Sequence, residues 1–181
     1  MAQQRDATAV ADEWLDVVDA GDRVVRRERR GIIHREGLRH RAVHILLCDA
    51  AGRYYVQRRS FAKDTFAGRW DSSASGHVDS GEDYDTAMRR ELGEELGWTP
   101  RDDGAWPRRV LRFSAQPLTG NEFVWVYTGE APGPLRPDPD EIIDGRWLAP
   151  EAIDSWLVER PDDFADAFRL IWPAFRESRT G

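Results

Sequence analysis

The sequence predicts an α/β sandwich. Three observations lead there. Short β-rich runs separated by turn signals recur between Trp14 and Leu148. Around Tyr84–Leu96 the apolar residues fall at helical spacing instead. The chain then closes on two further helical stretches. Strands with helices segregated among them bury their apolar faces by stacking in layers.

In chain order, Trp14–Val18 and Arg23–Arg29 flank Ala20-Gly21-Asp22 as a hairpin, and residues 31–39 read as a loop. Arg41–Cys48 and Arg53–Arg59 form a second hairpin about Asp49-Ala50-Ala51-Gly52. Residues 61–75, rich in Gly, Ser and aromatics, read as a loop winding over a site; Phe66 and Trp70 within it are candidates to stack on a base or cover the site, with core packing the commoner role of such aromatics. Asp83 is a good N-cap, Asp85 suits the positive end of the helix dipole, and Tyr84, Met88, Leu92 and Leu96 make one apolar stripe. Gly97 ends that helix. Residues 108–116, 123–129 and 142–148 read as strands, with a Pro-rich loop at 131–139. Helices over about 150–158 and 161–177 follow, and Trp147, Trp156 and Trp172 read as core.

The 181 residues suffice for one sizeable domain, expected over 14–181 behind a loosely ordered lead-in at 1–13. No stretch approaches the roughly 20 apolar residues of a membrane span. The first residues do not read as a secretory signal. Cys48 is the only cysteine, which excludes an internal disulfide and fits a cytoplasmic location; its apolar run suggests a buried structural thiol. The net charge of −7 argues against a general nucleic-acid binder, and Arg26–Arg30, interrupted by Glu28, reads as a solvated strand face. An acidic protein that handles phosphates must bring local cations or metals to them.

The informative segment is Gly76–Trp98, GHVDSGEDYDTAMRRELGEELGW. Glu91, Glu94 and Glu95 stand at i, i+3 and i+4, so they share one helix face. Three carboxylates there repel one another, at a cost in stability. The cluster makes sense if it holds Mg²⁺, or Mn²⁺, which take hard oxygen ligands, against a diphosphate. Metal-activated water is the chemistry such a face supports.

Gly76, Glu82, Arg90-Glu91-Leu92, Glu94-Glu95, Gly97 and Trp98 match the Nudix box at every specified position. The chain therefore resembles the Nudix hydrolases. That resemblance implies an α/β/α sandwich with a mixed sheet, carrying the box as loop–helix–loop. It implies metal binding by Glu91, Glu94 and Glu95, with the Ser75 carbonyl as a further ligand. Glu82 and Arg90 would support the helix and loop through a charge-assisted contact. The implied reaction is attack of metal-activated water on phosphorus in a small-molecule diphosphate, with Glu94, Glu91 or the outside residue Glu122 as base.

A second likeness lies outside the box. HRAVHILLCDAAGRYYVQRRSFAKDTFAGRWDSSASGH resembles the N-terminal half of isopentenyl-diphosphate isomerases, and the likeness returns at Asn121-Glu122-Phe123-Val124. It implies that Arg59 and Lys63 bind the diphosphate and that His40, His77 and Glu122 sit at metal-ligand positions. His34 falls one residue out of step with a further ligand, and Gly120 stands where the isomerases have a glutamate. The decisive departure is Ser75, where they carry a catalytic cysteine. A hydroxyl is a far weaker acid than a thiol, and protonating an alkene needs a matched acid. With the intact box, this points to hydrolysis of a nucleotide or nucleoside-diphosphate-linked substrate. Isomerase activity and a nucleotide-sensing module that binds without cutting are the alternatives. The N-terminal hairpin is a candidate homodimer element.

Overall fold

The computed structural model describes residues 13–98, 106–131 and 133–180. The expected lead-in therefore lies, save Glu13, outside the described residues. A hairpin of β1 (Trp14–Val18) and β2 (Val24–Arg29) precedes α1 (Arg30–Glu36). The main sheet comprises β3 (His40–Cys48), β4 (Tyr54–Arg59), β5 (Trp70–Asp71), β6 (Ala74–His77), β7 (Arg108–Phe113), β8 (Glu122–Glu130) and β9 (Ile142–Leu148). Helix α2 (Tyr84–Leu96) lies between β6 and β7, and α3 (Pro150–Glu159) and α4 (Asp166–Thr180) close the chain. No described helix is long and apolar enough to cross a membrane.

The sheet is mixed, as expected. Central β3 runs parallel to β8 and antiparallel to β6, while β4, β5, β7 and β9 add antiparallel pairings. Period-two alternation in β3 serves both layers. Ala42 and Leu46 face a core with Phe168, Trp172 and Phe175 of α4, whereas Val43, Ile45 and Leu47 face Met88, Leu92 and Leu96 of α2. The α2 stripe is buried as predicted, each such side chain contributing about 1.5–3 kcal/mol. That burial offsets the repulsion on the acidic face and orients it.

Four expectations are corrected. Residues 31–39 are not a loop: Arg30–Glu36 is helical and ends on Gly37 in the left-handed conformation. A turn this short is stabilised by packing, here Ile33 against Leu15 and Val17, rather than by local propensity. Residues 61–75 are not wholly loop, because β5 and the start of β6 lie within them. Within them Trp70 takes the commoner role of core packing, edge-on against Trp156. The last helix begins at Asp166, after a single 3-10 turn at Pro161–Asp163. Cys48 is half-buried, with a thiol pushed up by burial and an Sγ contact to the Gly129 carbonyl at 3.6 Å.

The hairpin is attached to the body. The Val18 N–H donates to the Arg39 carbonyl, and Ser80 Oγ to Asp16 Oδ1 at 2.7 Å. Asp22 receives Arg41, Arg112 and the Tyr84 hydroxyl. Val24 and Val25 remain exposed on β2.

Candidate active site

Local sequence sets up the carboxylate helix. Asp83 accepts the Thr86 N–H at 2.7 Å as N-cap, and Gly97, at φ +59°, terminates α2. From this helix Glu91 and Glu95 reach inward and are buried, while Glu94 is about one-third exposed. Glu95 Oε2 accepts from Gln57 Nε2 at 2.9 Å and from the Ser75 N–H at 3.0 Å, tying β4 and β6 to the helix. Glu91 lies against Gly76 so closely that a Cβ there would overlap its carboxylate.

Arg90 organises the face. Its Nε and Nη2 both donate to Glu82 at 3.0 Å, and Nη2 also reaches the His77 carbonyl at 2.8 Å. Its Nη1 donates to Glu91 at 2.6 Å and to Glu94 at 3.2 Å. The expected Glu82–Arg90 contact is thus present, and the guanidinium also partly balances the acidic face. The balance is incomplete. Burial and the neighbouring Glu95 push the Glu91 carboxyl up to about 8, against Arg90. Burial also raises Glu95, opposed by Lys63 and Arg59. Two neighbouring carboxylates that burial shifts toward the protonated form are short of positive charge. The hard-oxygen donor set fits Mg²⁺ or Mn²⁺.

These groups line a cleft of about 410 Å³, the size of a small-molecule site. Arg59 and Lys63 line it too. Arg59 donates to the Thr65 carbonyl and lies 3.4 Å from Asp71, and Lys63 pairs with Glu141. Burial lowers the Lys63 ammonium. Phe66, at φ +52°, lines the mouth.

A second cluster forms where α1, β3, β6 and β8 meet. One ligand atom from each of His34, His40, His77 and Glu122 lies within 4.8 Å of the others. Residue His77 faces His34 at 3.2 Å and Glu122 at 3.1 Å, all through Nε2 of the rings. His40 Nδ1 lies 2.9 Å from the Leu38 carbonyl, so that nitrogen carries the proton. The other His40 nitrogen, Nε2, is buried without a hydrogen-bond partner, 3.4 Å from Glu122. Burial drives His77 down to about 4 despite its bond to Glu122, leaving it neutral, the form that ligates metals. Burial opposes ionisation of Glu122, yet the two imidazoles hold it well below the usual carboxylate range. A divalent cation at this point of convergence would take the place of the ring protons that otherwise face Glu122, so the four groups fit such an ion. His34, one residue out of step in sequence, is brought into line by α1.

A family model described as the NUDIX domain matches residues 38–168. The chain belongs to the Nudix family. Its enzymes act on pyrophosphate bonds, and its relatives carry two kinds of name. A Nudix hydrolase of Deinococcus radiodurans is 33% identical over 168 residues, covering 93% of this chain and 97% of the relative. An isopentenyl-diphosphate Delta-isomerase of Burkholderia multivorans is 32% identical over 163 residues, covering 88% and 91%. The crystal structure of DR0079 from Deinococcus radiodurans superposes with a TM-score of 0.72 at 32% identity, covering 82% of this chain and 90% of that one.

In this Nudix chain, Arg59, Lys63, Ser75, Gly76, His77, Arg90, Glu91, Glu94, Glu95 and Glu122 all line one cleft. Three others were missed. Arg30 is not on a solvated strand face: it is buried at the head of α1, donates to Asp64 at 2.8 Å, and lines the cleft. The run Arg26–Arg30 gave no sign of this, because the chain turns from strand to helix at its last residue. His44 and Asp71 are buried in the cleft wall. His44 was masked by the apolar residues that follow it.

Proposed function

We propose that this Nudix protein hydrolyses a phosphoanhydride in a nucleotide or nucleoside-diphosphate-linked small molecule. The observation that carries this reading is the meeting of Glu91, Glu94 and Glu95 with Arg59 and Lys63 around one small-molecule cleft. Glu91, Glu94 and Glu95, with the Ser75 carbonyl, would hold Mg²⁺ or Mn²⁺. When bound, the metal polarises water and neutralises charge on the leaving group. Arg59 offers a planar fork and Lys63 a point charge to the diphosphate oxygens. Glu94 is the most open of the three glutamates and receives the proton of the attacking water. Glu122, held ionised by two imidazoles, is a poor proton acceptor.

The set His34, His40, His77 and Glu122 suits a second divalent ion that accepts imidazole ligands, such as Zn²⁺ or Mn²⁺. It is shared in part with the isomerase pattern, but Ser75 lacks the acidity to protonate an alkene. Exposed Val24 and Val25 support a homodimer through β2, which sedimentation would test.

The test is a panel of nucleoside diphosphates, triphosphates, nucleotide sugars and dinucleotides with Mg²⁺ and Mn²⁺, followed by release of phosphate or nucleotide. Glu94→Gln should abolish turnover with the fold intact. No turnover of any compound would favour a sensing module, and conversion of isopentenyl to dimethylallyl diphosphate would reinstate the isomerase.

A further inference from the structure

The cleft wall beyond the diphosphate cations carries a buried polar group that the hydrolytic reading does not use. His44 and Asp71 are 5% and 3% exposed, and both line the cleft. His44 Nδ1 lies 2.9 Å from Ser72 Oγ and 3.7 Å from Asp71 Oδ1. Asp71 in turn lies 3.4 Å from Arg59, so a continuous polar path leads from a diphosphate cation to His44. The other His44 nitrogen, Nε2, has no hydrogen-bond partner among the described residues. Whichever tautomer His44 adopts, Nε2 is a donor or an acceptor that a ligand displacing water from the cleft must satisfy.

Strand register adds a third group. His44 is directly paired with Ser75, and directly opposed residues on neighbouring strands share a face. The Ser75 side chain therefore stands on the same wall, and its hydroxyl has no hydrogen-bond partner among the described residues. His44 is four residues along β3 from His40, roughly 13 Å from the histidine cluster at the strand rise. Between them is Ala42, and Ala165 and Ala167 line the same cleft, so small side chains leave room beside the polar groups.

We propose that His44, Asp71 and Ser75 form a subsite for hydroxyl groups on the part of the substrate next to the diphosphate, selecting a sugar-bearing diphosphate over an isoprenyl one. This rests on the reading of the cleft as a diphosphate site. A hydrocarbon chain here would leave buried polar atoms unpaired, and sites built to hydrogen-bond discriminate strongly against ligands lacking the matching group. A ribose or hexose satisfies them.

The test uses binding rather than turnover. Calorimetry with Mg²⁺ compares methylenediphosphonate with three of its esters: α,β-methylene-ADP, the glucosyl ester and the isopentenyl ester. At least one sugar ester should bind about tenfold or more tighter than the bare diphosphonate, roughly 1.4 kcal/mol, and the isopentenyl ester should not. Which sugar ester gains distinguishes a nucleotide from a hexose. His44→Leu should remove the gain while leaving the bare diphosphonate within about twofold, and His44→Gln should keep part of it. An isopentenyl ester that binds as tightly as the sugar esters overturns the proposal, as does a gain that survives His44→Leu. Should His44→Leu not fold, loss of the gain in Ser75→Ala supports the subsite and full retention overturns it. Sugar preference without hydrolysis of ADP-type esters would remove the hydrolase reading and leave this one standing.

Discussion

The Glu91 carboxylate occupies the space that any side chain at position 76 would fill. The box glycine is thus needed for close approach, not for an unusual backbone angle. Gly76→Ala should push Glu91 out of place. A displacement near 1 Å costs on the order of a hundredfold in rate. Steady-state hydrolysis and Mn²⁺ titration would check it, and an alanine variant with normal metal affinity and rate would contradict the packing argument.

The carboxylate pair predicts an unusual pH dependence of stability without metal. Glu91 is raised from its ordinary value to about 8, so the folded state binds the extra proton and stability falls as pH rises toward 8. His77, lowered to about 4, works the other way, with stability rising from about pH 4 to 6.5. The two oppose each other in the acid range; above pH 6.5 the His77 contribution is complete, and Glu91, with Glu95 raised in the same sense, sets the direction. Thermal unfolding in chelator should show Tm falling from pH 6.5 to 8, and Glu91→Gln should flatten that slope. A Tm constant over this window in the native protein would refute it.

Metal binding to the box carboxylates would release the Glu91 proton. The apparent Mg²⁺ affinity should therefore increase with pH up to about 8 and level off beyond it. Titrations at several pH values in weakly buffered solution would read both the affinity and the proton released.

At the histidine cluster, His40→Ala removes one of four converging ligand atoms. Zn²⁺ or Mn²⁺ affinity should drop on the order of 10–100-fold or more. Metal content after dialysis and Co²⁺ absorption spectra report this directly. Unchanged binding would mean that the cluster is a hydrogen-bonded packing unit.

Among the described residues the Arg59 guanidinium bonds to the Thr65 carbonyl and Asp71, and it lines the cleft. Arg59→Ala should raise KM by about tenfold with a smaller change in kcat, the signature of binding equal in ground and transition states. A fall confined to kcat would instead assign Arg59 to the transition state.

Much of this site was legible in the sequence because it is built locally. Asp83, the apolar stripe and Gly97 define α2, and helical periodicity alone puts Glu91, Glu94 and Glu95 on one face. The contact of Arg90 with Glu82 was implied by the likeness to the box, while its contact with Glu94, one helical turn on, was not picked out. What tertiary structure decided is the company these residues keep. The parallel pairing of β3 with β8 sets His40 beside Glu122 across a long loop of sequence. The turn into α1 buries Arg30 and brings His34 to the same point, although the local residues read as strand and loop. His44, lodged in an apolar strand, became a cleft residue only because β6 pairs beside it and small side chains lie around it. Periodicity reports which face a residue occupies; which other faces meet it depends on strand register and packing between distant segments.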